Sequence, residues 1–225
     1  MQLTRPGSTL APGGEADQGA EMRKLFQIGG LVASAVLIAF GSAAIYMGFD
    51  GRSTVRESLK QEQIVFGSAD DPAIAKHASQ WADQQVTTGT QARAFAKVIH
   101  EHALEGSGGL TYAELGRFVS AADPDNPAGT SDEAAAVKDE KGVPISNSAR
   151  NTWITATGLS TALNMSYLAE QMALFGIVVG FALLLAGLGF GIMILGGALR
   201  GDERATKPAP GAALKHGVVP VAPTV

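Results

Sequence analysis

The chain has 225 residues, no cysteine, 17 Lys and Arg against 21 Asp and Glu, and a formal charge of −4. Without cysteine there are no disulfides, thiolate metal sites, cysteine nucleophiles or lipid-modified cysteines. The acidic balance argues against nucleic acid as a partner, because a phosphate backbone calls for a basic face.

Residues 1–24 hold Pro6, Gly7, Pro12, Gly13 and Gly14 among polar neighbours, with too little apolar surface to offset ordering entropy, and read as a disordered cytoplasmic tail. Residues 25–48 (LFQIGGLVASAVLIAFGSAAIYMG) carry no charge. A bilayer core of about 30 Å needs roughly 20 apolar helical residues, so this block is a transmembrane helix. Arg23, Lys24 and the small residues Ser42 and Ala44 would also suit a cleaved signal peptide. The apolar run is longer than the roughly 7–15 residues of a signal core, and a retained span is expected.

After Asp50, only Gly51 interrupts a helix-compatible stretch to Gln63, in which Val55, Leu59 and Gln63 recur at helical spacing. The first helix should therefore project several turns beyond the bilayer. Asp70, Asp71 and Pro72 mark a loop. The segment Val86 to Thr90 is a turn that can cap a helix from Gln91 to Glu105, with Ala92, Phe95, Ala96, Ile99 and Ala103 on one face. Thr111 and Glu114 form a capping-box pattern that predicts a short helix to about Val119. Residues 121–147, with Pro124, Pro127, an alanine run and alternating charges, read as a flexible insertion holding at most one short helix. Asn147 or Ser148 can then cap a helix that runs without a Gly or Pro cluster into the second uncharged block, Met172 to Leu199. That helix should project by about 20 residues, roughly 30 Å. Residues 200–225, rich in Pro and Gly, read as a second disordered cytoplasmic tail.

The expected fold is an all-α membrane protein. It is a two-helix transmembrane hairpin, spanning at 25–48 and 171–199, with long helices projecting outside and a small helical extracytoplasmic layer within 49–170. Arg5, Arg23 and Lys24 precede the first span, and Arg200, Arg204, Lys207 and Lys215 follow the second, which places both tails in the cytoplasm and the loop outside the cell membrane. Arg52, Arg56 and Lys60 reduce the contrast. The loop is nonetheless acidic overall, and long loops translocate largely regardless of charge.

Sites for chemistry are sparse. His100 and His102 are two residues apart and fall on different helix faces, which does not suit a shared metal. His77 stands alone and His216 lies in the tail. Acidic pairs such as Asp70 with Asp71 and Asp132 with Glu133 lack the frame of a calcium loop. No nucleophile elbow, P-loop or dinucleotide fingerprint is present, so no catalytic residue, cofactor or metal is expected. Neither span holds a histidine, acidic or basic residue for a proton relay, ion path or haem. Small residues do recur at four-residue spacing, as Gly176 with Gly180, Gly187 with Gly191, and Ala35 with Ala39 and Ala43. Such spacing allows close helix approach, either between the two spans or with another membrane subunit. Trp153 lies 19 residues before Met172, too far for an interfacial anchor, and should pack on the first helix extension or a loop helix, or meet a partner.

The segments TVRESLKQEQI, QQVTTGTQARAFAKVIHEHAL, GGLTYAELGRF and NSARNTWITATGLSTALNMSYLAEQMALFGIVVG resemble an actinobacterial family of two-span membrane proteins of unknown function, over roughly residues 25–199. Members often carry the label aromatic ring-opening dioxygenase, and the resemblance implies that label here. Such oxygenases hold non-haem iron with histidines and a carboxylate, a set that His77, His100 and His102 do not supply. The expectation is a non-catalytic accessory or scaffolding component of a membrane or cell-envelope complex. The alternative is a ligand-binding or sensing module on two membrane anchors. The partners expected are the lipid bilayer and a membrane protein or a second copy of the chain.

Overall fold

The computed structural model describes residues 13–197, with side chains from residue 21. The tails expected at 1–12 and 200–225 lie outside the described residues. The elements in order are α1 (Gly13–Gln61), α2 (Pro72–His77), a 3-10 turn (Ser79–Trp81), α3 (Gly89–Gly106) and α4 (Ser148–Leu195). Among the described residues there is no β-strand, only isolated bridges.

Two helices, Glu21–Gln61 within α1 and Ser148–Leu195, are long and apolar enough to cross a membrane. Only 11% and 17% of their most apolar stretches is buried, whereas the core helix of a soluble fold would be mostly buried. Residues 13–24 belong to α1, so the disordered tail expected there is corrected over that stretch. Extending an existing helix costs only propagation, not a new nucleus. At the other end α4 stops at Leu195, and the last two residues of the span expected to 199 lie outside the described residues. Gly197, at φ 76°, supplies the left-handed residue that ends a helix.

Ile38–Leu185 form one compact unit. Its core joins Leu59 of α1, Phe66, Ile74 of α2, Val86, Val98 of α3 and Leu163 of α4. Phe66 meets Phe95 edge-on at 5.3 Å and stacks on Trp81 at 6.0 Å. Asp71 accepts from the amides of Ala73 and Ile74, so the expected loop at 70–72 is instead the cap of α2, with Pro72 at the first helical turn. Thr88 and Gln91 form a complete capping box on α3.

Residues 107–147 contain no helix, which corrects the short helices expected there. The Thr111 amide and hydroxyl do reach Glu114 Oε2, at 2.8 and 2.7 Å. The chain then leaves the helical path because its amides find partners across the loop. Gly116 donates to Ala128 and Phe118 donates to Thr130. Gly116 packs so tightly on the Thr130 backbone that any side chain would collide. Residues 118–146 are tied by further bridges, Phe118 to Ser146, Ser120 to Ala136 and Lys138 to Pro144.

Residues 13–37 and 186–197 are the described part of a second unit. There Ser34 Oγ donates to the Gly187 carbonyl at 2.6 Å, and a Cβ on Gly30 would meet Ile194 Cδ1 at 2.6 Å.

Candidate functional site

Within Ile38–Leu185 the charged chemistry gathers around Glu170, the single acidic residue of α4 and only 5% exposed. Its Oε1 accepts from Arg52 Nε at 3.0 Å and Arg56 Nε at 2.8 Å, and its Oε2 accepts from the Gly89 amide at 2.6 Å. Arg52 and Arg56 are one turn apart on α1 and so face α4 together. Gly89 is the first residue of α3, where amides lack helical partners and a carboxylate is favoured. No larger residue fits there, since a Cβ would lie 2.8 Å from Tyr167 Cα and 2.9 Å from Glu170 Oε2. Burial pushes the Glu170 carboxyl up, but the hydrogen bonds from Arg52, Gly89 and Arg56 outweigh it and hold the group below the usual carboxylate range.

One carboxylate thus faces two guanidinium groups, both more than a third exposed. Nearby on α3, Arg93 lies over the ring of Tyr167, 4.7 Å from its centroid. A cavity of about 250 Å³ opens beside this junction, bordered by Arg52, Arg56, Thr88, Thr90, Gln171 and Leu174. It lies where the charged part of the unit gives way to the apolar stretch of α4.

The residues singled out from the sequence are distributed along the helices. Gly180 sits on α1, where an added Cβ would lie 2.7 Å from Ile45 Cγ1 and 2.8 Å from the Gly41 carbonyl. Gly176, one turn away, has only the Ala44 carbonyl nearby, at 3.8 Å. In the second unit Gly187 accepts from Ser34, and a Cβ on Gly191 would come 2.9 Å from Ser34 Oγ. Trp153 is buried against α3 and donates through Nε1 to the Leu110 carbonyl at 2.8 Å, with His100 edge-on at 5.1 Å.

The histidines are separated from one another by their partners. His102 Nε2 lies 3.0 Å from Asp71, and His77 lies 3.3 Å from Glu101, which also binds Lys76 at 2.7 Å. Among the described residues no group of three or more His, Asp or Glu is placed to hold a metal ion. An open groove of about 590 Å³ runs beside His102 between α3 and the start of α4, bordered by Ile99, Ala103, Asn151, Thr155 and Leu159.

Sequence reasoning missed the Glu170 junction. The signal was present as a single carboxylate at the edge of one apolar block and an Arg pair at helical spacing beyond the edge of the other. Asn147 was read only as a helix cap. It is also buried, donating to the carbonyls of Gly116 and Pro127 at 3.1 and 2.9 Å while accepting from the Ala149 amide.

No protein-family model, curated protein or solved structure matches the chain.

Proposed function

We propose that the chain is a non-catalytic, two-span membrane protein that serves as an accessory or scaffolding component of a membrane or cell-envelope complex. In this reading the apolar stretches of α1 and α4 cross the bilayer as a hairpin, both chain ends are cytoplasmic, and residues 49–170 lie outside. Large exposed side chains such as Phe40, Met47, Phe175 and Phe181 support the bilayer as their environment, because soluble proteins rarely leave so much contiguous apolar surface in water.

The observation that carries the partner lies above the apolar block. Ile154, Gly158, Thr161, Met165, Leu168 and Met172 recur at alternating four- and three-residue steps on the side of α4 turned from the core, and all are exposed. From Asn151 to Ala169 that helix has no charged residue. A solvated helix face normally carries charge, and lipid reaches only the lower end of this one. A 3.5-residue period is the pattern of a helix-helix seam. The occupant we infer is a helix of another membrane protein, running alongside α4 and entering the same bilayer.

Because the chain has no cysteine, Met165→Cys gives a single attachment point for a photoactivated crosslinker in native membranes. An adduct with a distinct membrane protein, in near-equal amount, is the expected result. An adduct only with a second copy would replace this reading by a homo-oligomer, and no adduct at all would sink it.

A second reading, an extracytoplasmic ligand-binding or sensing module, is favoured by the groove beside His102. A ligand there would raise the melting temperature of the purified chain without any protein partner.

A further inference from the structure

Arg52 and Arg56 each use only Nε on Glu170, and among the described residues no protein acceptor receives their terminal Nη groups. Those groups belong to side chains 37% and 38% exposed, and both residues border the same cavity. Two guanidinium groups against one carboxylate leave an excess positive charge. The shared carboxylate also fixes both planes, so an anion would be met by donors already oriented. The first amide of α3 is not available, since Gly89 is bonded to Glu170. Recognition therefore falls to the arginines, assisted by the hydroxyl of Thr90, because the Thr88 hydroxyl is already bonded to Gln91.

Guanidinium pairs of this kind match the tetrahedral oxygens of phosphate through paired N–H donors. The rim of the cavity is asymmetric. Leu174 closes one side, and the exposed Phe49, three residues before Arg52 on α1, and Phe175, four residues after Gln171 on α4, continue it as apolar surface. A free inorganic anion has no use for that surface, whereas an acyl chain can lie along it. The volume of about 250 Å³ is small for a nucleotide and large enough for a phosphodiester with its glycerol. We propose that this cavity binds the phosphate of an anionic phospholipid, with Arg52 and Arg56 as its ligands. The proposal rests on the membrane reading given above.

The test uses the full chain in lipid nanodiscs made from phosphatidylcholine with and without phosphatidylglycerol, the co-purified lipid being quantified after exchange into detergent. Insertion into discs tests the membrane reading, and headgroup selectivity among inserted chains tests the site. Wild type should retain phosphatidylglycerol about fivefold over phosphatidylcholine, the effect of one well-placed basic residue at an anionic surface. Arg52→Gln should abolish the preference. Lys97→Gln, which removes the same charge from an exposed position of α3, should leave it intact.

Where Arg52→Gln fails to fold, Thr90→Val serves in its place, since it borders the cavity and makes no hydrogen bond to Glu170. It should show a smaller loss of preference. Protection of the detergent-solubilised chain by inorganic phosphate alone, as strong as that by phosphatidylglycerol, would assign the site to the free anion and overturn the lipid. Absence of selectivity in wild type, or an equal loss in Lys97→Gln, would overturn the site itself.

Discussion

A Cβ placed on Gly180 of α4 would lie 2.8 Å from the carbonyl oxygen of Gly41 on α1. Backbones meet here without intervening side chains, so each glycine is required by the other. Gly176, one turn away on α4, does not share the relation, because a Cβ there would meet only ordinary van der Waals contact at 3.8 Å. Gly180→Ala should therefore destabilise the purified chain by about 1–3 kcal/mol through overpacking. Gly176→Ala should be neutral, or slightly stabilising through reduced freedom of the unfolded chain. Thermal unfolding in detergent separates the two. Equal effects would mean that the four-residue spacing, rather than this contact, is what matters.

Ser34 and Gly191 form a second close contact, confined to residues 13–37 and 186–197. Ser34→Ala removes one hydrogen bond to the Gly187 carbonyl, which should cost about 0.6 kcal/mol in an apolar setting. Gly191→Ala drives a methyl group to within 2.9 Å of the same hydroxyl and should cost about 1–3 kcal/mol. Combining the two makes room for the methyl, so the double variant should be more stable than Gly191→Ala alone. A double-mutant cycle reads the coupling directly, and strict additivity would show that the hydroxyl is not the obstacle.

Glu170 makes stability depend on pH. Its carboxyl is held below its ordinary value of 4.5, so in the window beneath that value the unfolded chain binds more protons than the folded one. The stabilisation is complete above pH 4.5 and is lost as pH falls through the lowered native value. Asp71, Glu101 and Glu114 are lowered too, so wild type should lose stability in acid through several groups. Glu170→Gln isolates one of them. It should cost about 2–3 kcal/mol at neutral pH, below the ~3–5 kcal/mol of a fully buried pair because both arginines are partly exposed. The gap from wild type should narrow as the pH falls. A gap that stays constant with pH would show that the role is packing rather than charge.

The two long helices were legible because a charge-free block exceeding bilayer thickness is a signal carried by every residue in it. The turn from Val86 to Thr90 was legible as the cap of α3 for a related reason, a cap and its helix being neighbours in the chain, although the pairing of Thr88 with Gln91 was not read. The junction at Glu170 depends on pairs separated by 118 and 114 positions, and nothing local marks them. Residues 107–147 defeated local reasoning in the opposite direction. Thr111 and Glu114 make the bonds of a helix start, yet the amides of Gly116 and Phe118 are claimed by Ala128 and Thr130. Tertiary pairing prevailed over local preference because the loop returns on itself and offers those acceptors at no further cost in chain closure.

That irregular segment gives the last prediction, since its closure runs through Asn147. The buried Asn147 amide donates to the carbonyls of Gly116 and Pro127, which lie on the two arms of the loop, and its oxygen caps α4 at Ala149. Asn147→Asp keeps the cap but replaces both donors by a carboxylate facing two carbonyl oxygens. Asn147→Ala loses the cap and leaves those carbonyls without the donor. Each should cost about 2–3 kcal/mol, from a lost cap of about 1 kcal/mol or from buried acceptors left unsatisfied. Asn147→Asp should recover part of the loss at low pH, where a protonated carboxyl again donates, whereas Asn147→Ala should not. Hydrogen exchange at the amides of Gly116 and Thr130 reads the effect where it arises. Protection there should fall in both variants, and with Asn147→Asp it should return on acidification; unchanged protection would mean that the bridges hold the loop without Asn147.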